Sequence, residues 1–90
     1  MAQASATVTI RNQLGLHARP ATLLADIAAS FTSSVSITRD EEAVDAKSIM
    51  HIMMLAATKG TELEVKADGD DAEACVAAIV DLVERGFDEE

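Results

Sequence analysis

The segment Gly15-Leu16-His17-Ala18-Arg19-Pro20 gathers side chains whose chemistry converges. His17 offers an imidazole nucleophile, and Arg19 offers a planar fork of donors suited to anionic oxygens. Pro20 marks a first helical turn, because the N–H it lacks would have no partner there. A helix start presents unpaired N–H groups and the positive end of the helix dipole, so it attracts anions. Gly15 lets the chain turn tightly and leaves the imidazole accessible. Nucleophile, anion cradle and charge clamp thus fall within one helical turn, the combination phosphoryl chemistry needs. A capping histidine beside a solvated arginine explains either residue alone, but not their convergence.

A second segment invites a different use. Ser48 stands where an N-cap belongs, before the run Ile49-Met50-His51-Ile52-Met53-Met54-Leu55. That run is apolar nearly all round, yet a short surface helix buries only one stripe. The remainder is expected to form an exposed docking patch, for which the flexible thioether of Met is suited. The competing expectation is that some of the methionines fill the core. His51 reads as a surface residue without a role, and Cys75 as a core residue on an apolar stripe. Two histidines and one cysteine show no ligand spacing, so neither a metal nor a cofactor is expected.

The elements that position these residues follow from periodicity. Residues 5–11 alternate strictly, with Ala6, Val8 and Ile10 on one side, and predict a half-buried strand. Pro20, Leu23, Leu24, Ile27, Ala28 and Phe31 fall on one helical face, giving a helix from near His17–Arg19 to near Ser30. Residues 34–38 alternate again, 39–42 read as a turn, and 43–46 pair back as a hairpin. A helix follows Ser48, with Lys59 and Gly60 as stop signals soon after. Residues 62–67 form the fourth strand, with Leu63, Val65 and Ala67 inward. Asp70 and Glu73 resemble a capping box for a last helix. Its apolar face is Ala72, Cys75, Val76, Ile79, Leu82 and Val83, and Gly86 stops it. The order is βαββαβα, an open-faced α/β sandwich in a single domain over residues 1–90.

Composition narrows the function classes. The formal net charge of −9 argues against nucleic acid and against anionic membrane surfaces as partners. A lone cysteine cannot close an internal disulfide, which fits a reducing cytoplasm. No segment approaches the ~20 apolar residues needed to span a bilayer, and the start lacks the pattern of a signal peptide. With only Phe31 and Phe87 as aromatics, the core must be aliphatic.

Gly15-Leu16-His17-Ala18-Arg19-Pro20-Ala21 resembles the active-site motif of the HPr family. These are the histidine-containing phosphocarriers of the bacterial phosphoenolpyruvate-dependent sugar phosphotransferase system. Ala46-Lys47-Ser48-Ile49-Met50 resembles the family's regulatory serine region, and length and element order match over essentially the whole chain. The resemblance implies a four-stranded antiparallel sheet covered on one face by three helices. It implies that His17 becomes a pros-phosphohistidine, accepting phosphate on Nδ1 from enzyme I and passing it to a histidine of an enzyme II A component. Arg19 carries over as the residue that stabilises the transferring phosphoryl, and the N–H groups of Ala18 and Arg19 as those that bind it. Ser48 matches the serine modified in part of the family by a dedicated serine kinase/phosphorylase. Ile49, Met50 and Met53 are implied to face partners, and Ile52 and Leu55 to enter the core. Transcriptional regulators are further implied partners, and the chain is expected to be a cytoplasmic, monomeric carrier rather than an enzyme.

One departure stands out. The first helix carries Asp26 and no Lys on its exposed side, where many relatives are basic. Docking to an acidic enzyme I must then lean on the apolar patch. A regulatory relative that reports metabolic status without sugar transport would keep the same His17 and Arg19 chemistry. Acyl carriers share the size and acidity but are helical bundles with Asp-Ser-Leu at the attachment serine, whereas Ser48 lies between Lys47 and Ile49. A small-molecule-binding sandwich gives no reason for His, Arg and Pro to gather at one helix start.

Overall fold

The alternating segments pair into one antiparallel sheet. In the computed structural model, which describes residues 2–89, the strands are β1 (Gln3–Thr9), β2 (Ser34–Arg39), β3 (Glu42–Asp45) and β4 (Glu62–Asp68). They lie in the order β1-β4-β2-β3. β4 is therefore central, with Val65 opposite Ala6 on one side and Ile37 on the other. Period two puts Val8, Val35, Ile37, Leu63, Val65 and Ala67 on one buried face. Ser5, Thr7 and Lys66 stand exposed on the other.

β1 begins and ends two residues earlier than its alternation predicts, because its ladder runs only as far as β4 does, from Gln3 opposite Asp68 to Thr9 opposite Glu62. An even shift leaves the inward set unchanged. Ile10 stays buried past the strand, donating to the Thr61 carbonyl at 2.9 Å and accepting from the Gly60 N–H at 2.8 Å. The hairpin differs in a similar way. Arg39 pairs with Glu42, so β3 starts one residue early and Asp40 takes a left-handed turn conformation (φ 55°). Ala46 lies beyond the strand but is buried, its N–H bonded to the Val35 carbonyl at 3.0 Å.

Three helices cover the apolar face: α1 (Ala18–Ala29), α2 (Ile49–Met54) and α3 (Ala72–Glu84). α1 buries Pro20, Ala21, Leu24, Ala25 and Ala28, while Leu23, Ile27 and Phe31 pack half-buried at its margin. α3 buries all six residues of its expected stripe. Each fully buried Leu or Ile contributes about 1.5–3 kcal/mol relative to exposure. Cys75 lies on the same buried stripe of α3, and burial raises its thiol pKa, with Asp71 adding to the effect. Arg39 closes the end of α2 by donating to the Leu55 and Ala56 carbonyls at 2.7 and 3.0 Å.

The capping box expected of Asp70 and Glu73 does not form. Asp71 is the N-cap of α3, and its side chain makes no bond to its own helix. Its carboxylate instead receives the N–H groups of Thr32 at 2.8 Å and Ser33 at 2.9 Å, together with both their hydroxyls. Four donors from the loop between α1 and β2 outcompete a single cap bond. The Ser33 hydroxyl foremost, then the Thr32 N–H, lowers the Asp71 carboxyl to about 2. Gly69 permits this closeness, since a Cβ there would stand 2.6 Å from Ser33 Oγ.

Candidate functional site

The loop into α1 is built around Gly15. Its φ is +69°, and a Cβ there would stand 2.4 Å from the Ala57 carbonyl oxygen, so only glycine fits. Leu16 then buries its side chain and donates its N–H to that same oxygen at 2.9 Å. These contacts deliver His17 as the N-cap of α1 in extended conformation, its carbonyl accepting from the Ala21 N–H at 3.0 Å. The imidazole makes no bond to its own helix, and the first turn contains no acidic residue. The N–H groups of Ala18 and Arg19 have no intrahelical acceptor, as the first turn of any helix requires. Arg19 extends into solvent, 67 % exposed at its side chain.

The chain end closes on this helix start. After α3, Gly86, Phe87 and Asp88 all adopt positive φ, Phe87 is fully buried, and the chain turns back. This brings Glu89 against His17, with Nε2 lying 3.3 Å from Oε1 and 3.2 Å from Oε2. A carboxylate only accepts, so Nε2 carries the hydrogen of this contact and the neutral ring keeps its lone pair on Nδ1. Glu89 Oε2 is also 3.7 Å from Arg19 Nη1. The buried Asn12 donates from Nδ2 to Glu89 Oε1 at 3.1 Å and to the Gly15 carbonyl at 2.7 Å. Burial pushes the Glu89 carboxyl up, but bonds from His17 and Asn12, the charge that His17 bears when protonated and the charge of Arg19 outweigh it. The group ends below its ordinary value.

His17 and Arg19 thus share one cluster, joined by Asn12 and Glu89, two residues that local sequence pattern does not mark. The remaining expected residues lie on α2, which packs against α1. Ser48 caps that helix, its Oγ accepting from the His51 N–H at 3.2 Å. Ile52 and Leu55 are buried, while Ile49, Met50, Met53 and Met54 are exposed, Met50 by 73 %. The expectation that some methionines of this run fill the core is therefore overturned. Leu14, in the loop before Gly15, is exposed to the same degree as Met50. His51 faces solvent.

Comparison with known proteins bears on what this cluster is for. The protein family described as PTS HPr component phosphorylation site matches residues 4–85. The chain belongs to the HPr family. HPr-family proteins are phosphocarriers of the phosphotransferase system, and that is the class of this chain. The phosphocarrier protein HPr of Treponema pallidum is 44 % identical over 84 residues, 93 % of this chain and 96 % of that one. The phosphocarrier protein NPr of Escherichia coli is 40 % identical over 85 residues, 93 % of this chain and 94 % of that one. The crystal structure of HPr from Thermoanaerobacter tengcongensis superposes with a TM-score of 0.93 at 44 % identity, covering 97 % of this chain and 98 % of that one.

The HPr fold here leaves the His17 side chain 36 % exposed beside the exposed Arg19. A depression of about 520 Å³ lies over the open sheet face around Ser5, Ser36 and Lys66, and its lining includes none of the His17 cluster. Among the described residues, no three His, Cys, Asp or Glu side chains are grouped as metal ligands, and no helix is long and apolar enough to cross a membrane.

Proposed function

We propose that His17 carries the phosphoryl group on Nδ1, taking it from phosphorylated enzyme I and giving it to a histidine of an enzyme II A component. The observation that carries this reading is an imidazole at a helix N-cap that leaves its own helix uncapped, with Nε2 turned to Glu89. In the step, the Nδ1 lone pair bonds to phosphorus while the donor's N–P bond breaks, and that bond's electron pair stays on the donor imidazole. Nε2 keeps its proton throughout, so no proton has to leave His17. The Ala18 and Arg19 N–H groups and the Arg19 guanidinium offset charge on the phosphoryl oxygens. Onward transfer runs the same step in the opposite direction.

Ile49, Met50 and Met53 form the docking patch in this reading, and we assign the exposed Met54 and Leu14 to it as well. The carrier works as a cytoplasmic monomer, and a kinase acting on Ser48 regulates it by placing a phosphate beside Ile49 and Met50.

Intact mass after incubation with phosphoenolpyruvate and the cognate enzyme I tests the central step. One added phosphoryl group is expected, stable to base and labile to acid, and absent from folded His17→Ala. Full-rate phosphorylation of that variant would remove His17 from the role.

A further inference from the structure

Asn12 is 2 % exposed, yet it lies in a loop where a small turn residue would serve. Both bonds from its Nδ2 go to acceptors, the Gly15 carbonyl and Glu89 Oε1, which fixes the amide orientation. Its own Oδ1 is buried with no hydrogen-bond partner among the described residues. An acceptor left unpaired inside a protein is destabilising, and such arrangements call for a functional reason. The Gly15 carbonyl that Asn12 holds also accepts the His17 N–H at 2.9 Å. One amide thereby braces the backbone in front of His17 and the carboxylate behind its ring.

We propose that Asn12 is a positioning residue for phosphoryl transfer, acting through Glu89 on His17. The proposal rests on the reading of His17 as the phosphoryl acceptor. Glu89 has two cationic or donating neighbours besides Asn12, the His17 Nε2 at 3.2 Å and the Arg19 Nη1 at 3.7 Å. With Asn12 in place, the carboxylate stays on the imidazole and Arg19 remains available to the phosphoryl group. Without it, Glu89 is free to swing to Arg19, which deprives the ring of its acceptor and the phosphoryl of its clamp. As the Nδ1–phosphorus bond forms, the ring gains positive charge, and a carboxylate held on Nε2–H stabilises that charge. Buried carboxylates behind catalytic imidazoles act in this way. The pair thus orients the nucleophile and favours the charged product without touching the phosphoryl group.

A double-mutant cycle tests this. Transfer rates from phosphoenolpyruvate and enzyme I are measured for the native chain, Asn12→Ala, Glu89→Ala and the double variant. Each single change is expected to slow transfer about 3- to 10-fold, the factor that loss of one ordinary hydrogen bond implies. The double variant is expected to be no slower than Glu89→Ala, because Asn12 acts only through that residue. The ring 15N resonances of unphosphorylated His17 at alkaline pH give a readout that needs no partner. They are expected to lie further apart in the native chain than in Asn12→Ala, reporting a more firmly fixed tautomer. A native transfer rate in Asn12→Ala, losses that multiply in the double variant, or unchanged ring shifts would each overturn the proposal. Should Asn12→Ala fail to fold, Asn12→Asp replaces it. That variant sets a second carboxylate beside Glu89 and is expected to slow transfer at least as much as Glu89→Ala, and a native rate overturns the proposal. Absence of transfer in the native chain would defeat the phosphoryl-acceptor reading instead, and the ring shifts would still decide whether Asn12 fixes the imidazole.

Discussion

α1 and α3 both begin at a residue whose side chain makes no cap to its own helix, yet the two side chains meet very different surroundings. Asp71 at the start of α3 is saturated by the N–H and hydroxyl groups of Thr32 and Ser33, and Glu73 adds a negative charge to that first turn. Nothing there is left for an incoming anion. His17 at the start of α1 has one ring nitrogen on Glu89 and no acid in the turn behind it. The same departure from ordinary capping makes a lock in one place and an open site in the other. The difference lies in whether a neighbouring loop supplies enough donors to consume the N-cap side chain.

Substitutions should separate the two helix starts. The largest effect is expected at the open one. Arg19→Ala should slow phosphoryl transfer by at least ~10-fold, equivalent to ~1.4 kcal/mol of barrier, with an unchanged melting curve. Arg19→Lys should recover only part of the rate, since an ammonium cannot reproduce the bidentate fork. A normal rate in Arg19→Ala would put that residue outside the mechanism.

The reverse is expected at the locked start. Asp71→Asn should lower the melting temperature and leave the transfer rate untouched. The Asp71 carboxyl is lowered from 3.8 to about 2 in the folded chain, so its stabilising contribution is present above pH 3.8 and is lost as pH falls towards 2. Acid unfolding of the native chain should therefore steepen in that window, and the variant should be flatter there. Equal acid sensitivity of the two chains would show that Asp71 is not the lock.

A smaller effect than at either of these is expected on the transfer rate or the fold at a third helix start. Ser48 caps α2 in the ordinary way, and added negative charge there meets a favourable dipole. Ser48→Asp should keep its melting temperature within a few degrees yet receive phosphate more slowly, through weaker association with enzyme I. Initial rates across carrier concentrations would reveal this. Unchanged transfer in both the mimic and authentic phosphoserine protein would reduce Ser48 to a helix cap.

What was legible in the sequence follows from the range over which the forces act. Alternation and helical spacing are local, so Val8, Ile37, Leu63 and Val65 could be placed inward and the stripe from Ala72 to Val83 assigned to the core. His17, Arg19 and Ser48 announce themselves because a helix start is written in adjacent residues. Asn12 and Glu89 do not, since their contact spans 77 positions and Glu89 looks like one more charge in an acidic tail. The hint available was Phe87, a rare aromatic near the end of an otherwise aliphatic chain, whose burial ties the tail down. Asp71 was missed in favour of Asp70 and Glu73 because its donors come from a loop some 38 positions away.

The strand order carries a consequence for how the chain assembles. β4 lies between β1 and β2, yet it is the last strand to leave the ribosome. Until residues 62–68 emerge, β1 has no neighbour, and β2 can form only its local hairpin with β3. The apolar faces of α1 and α2 then have no finished sheet to rest on. Closure of the sheet is thus a late, long-range event, which slows folding relative to a meander of the same length. Only after it, and after α3 and Phe87 dock, does Glu89 reach the imidazole, so the contact behind the His17 ring is among the last to be made.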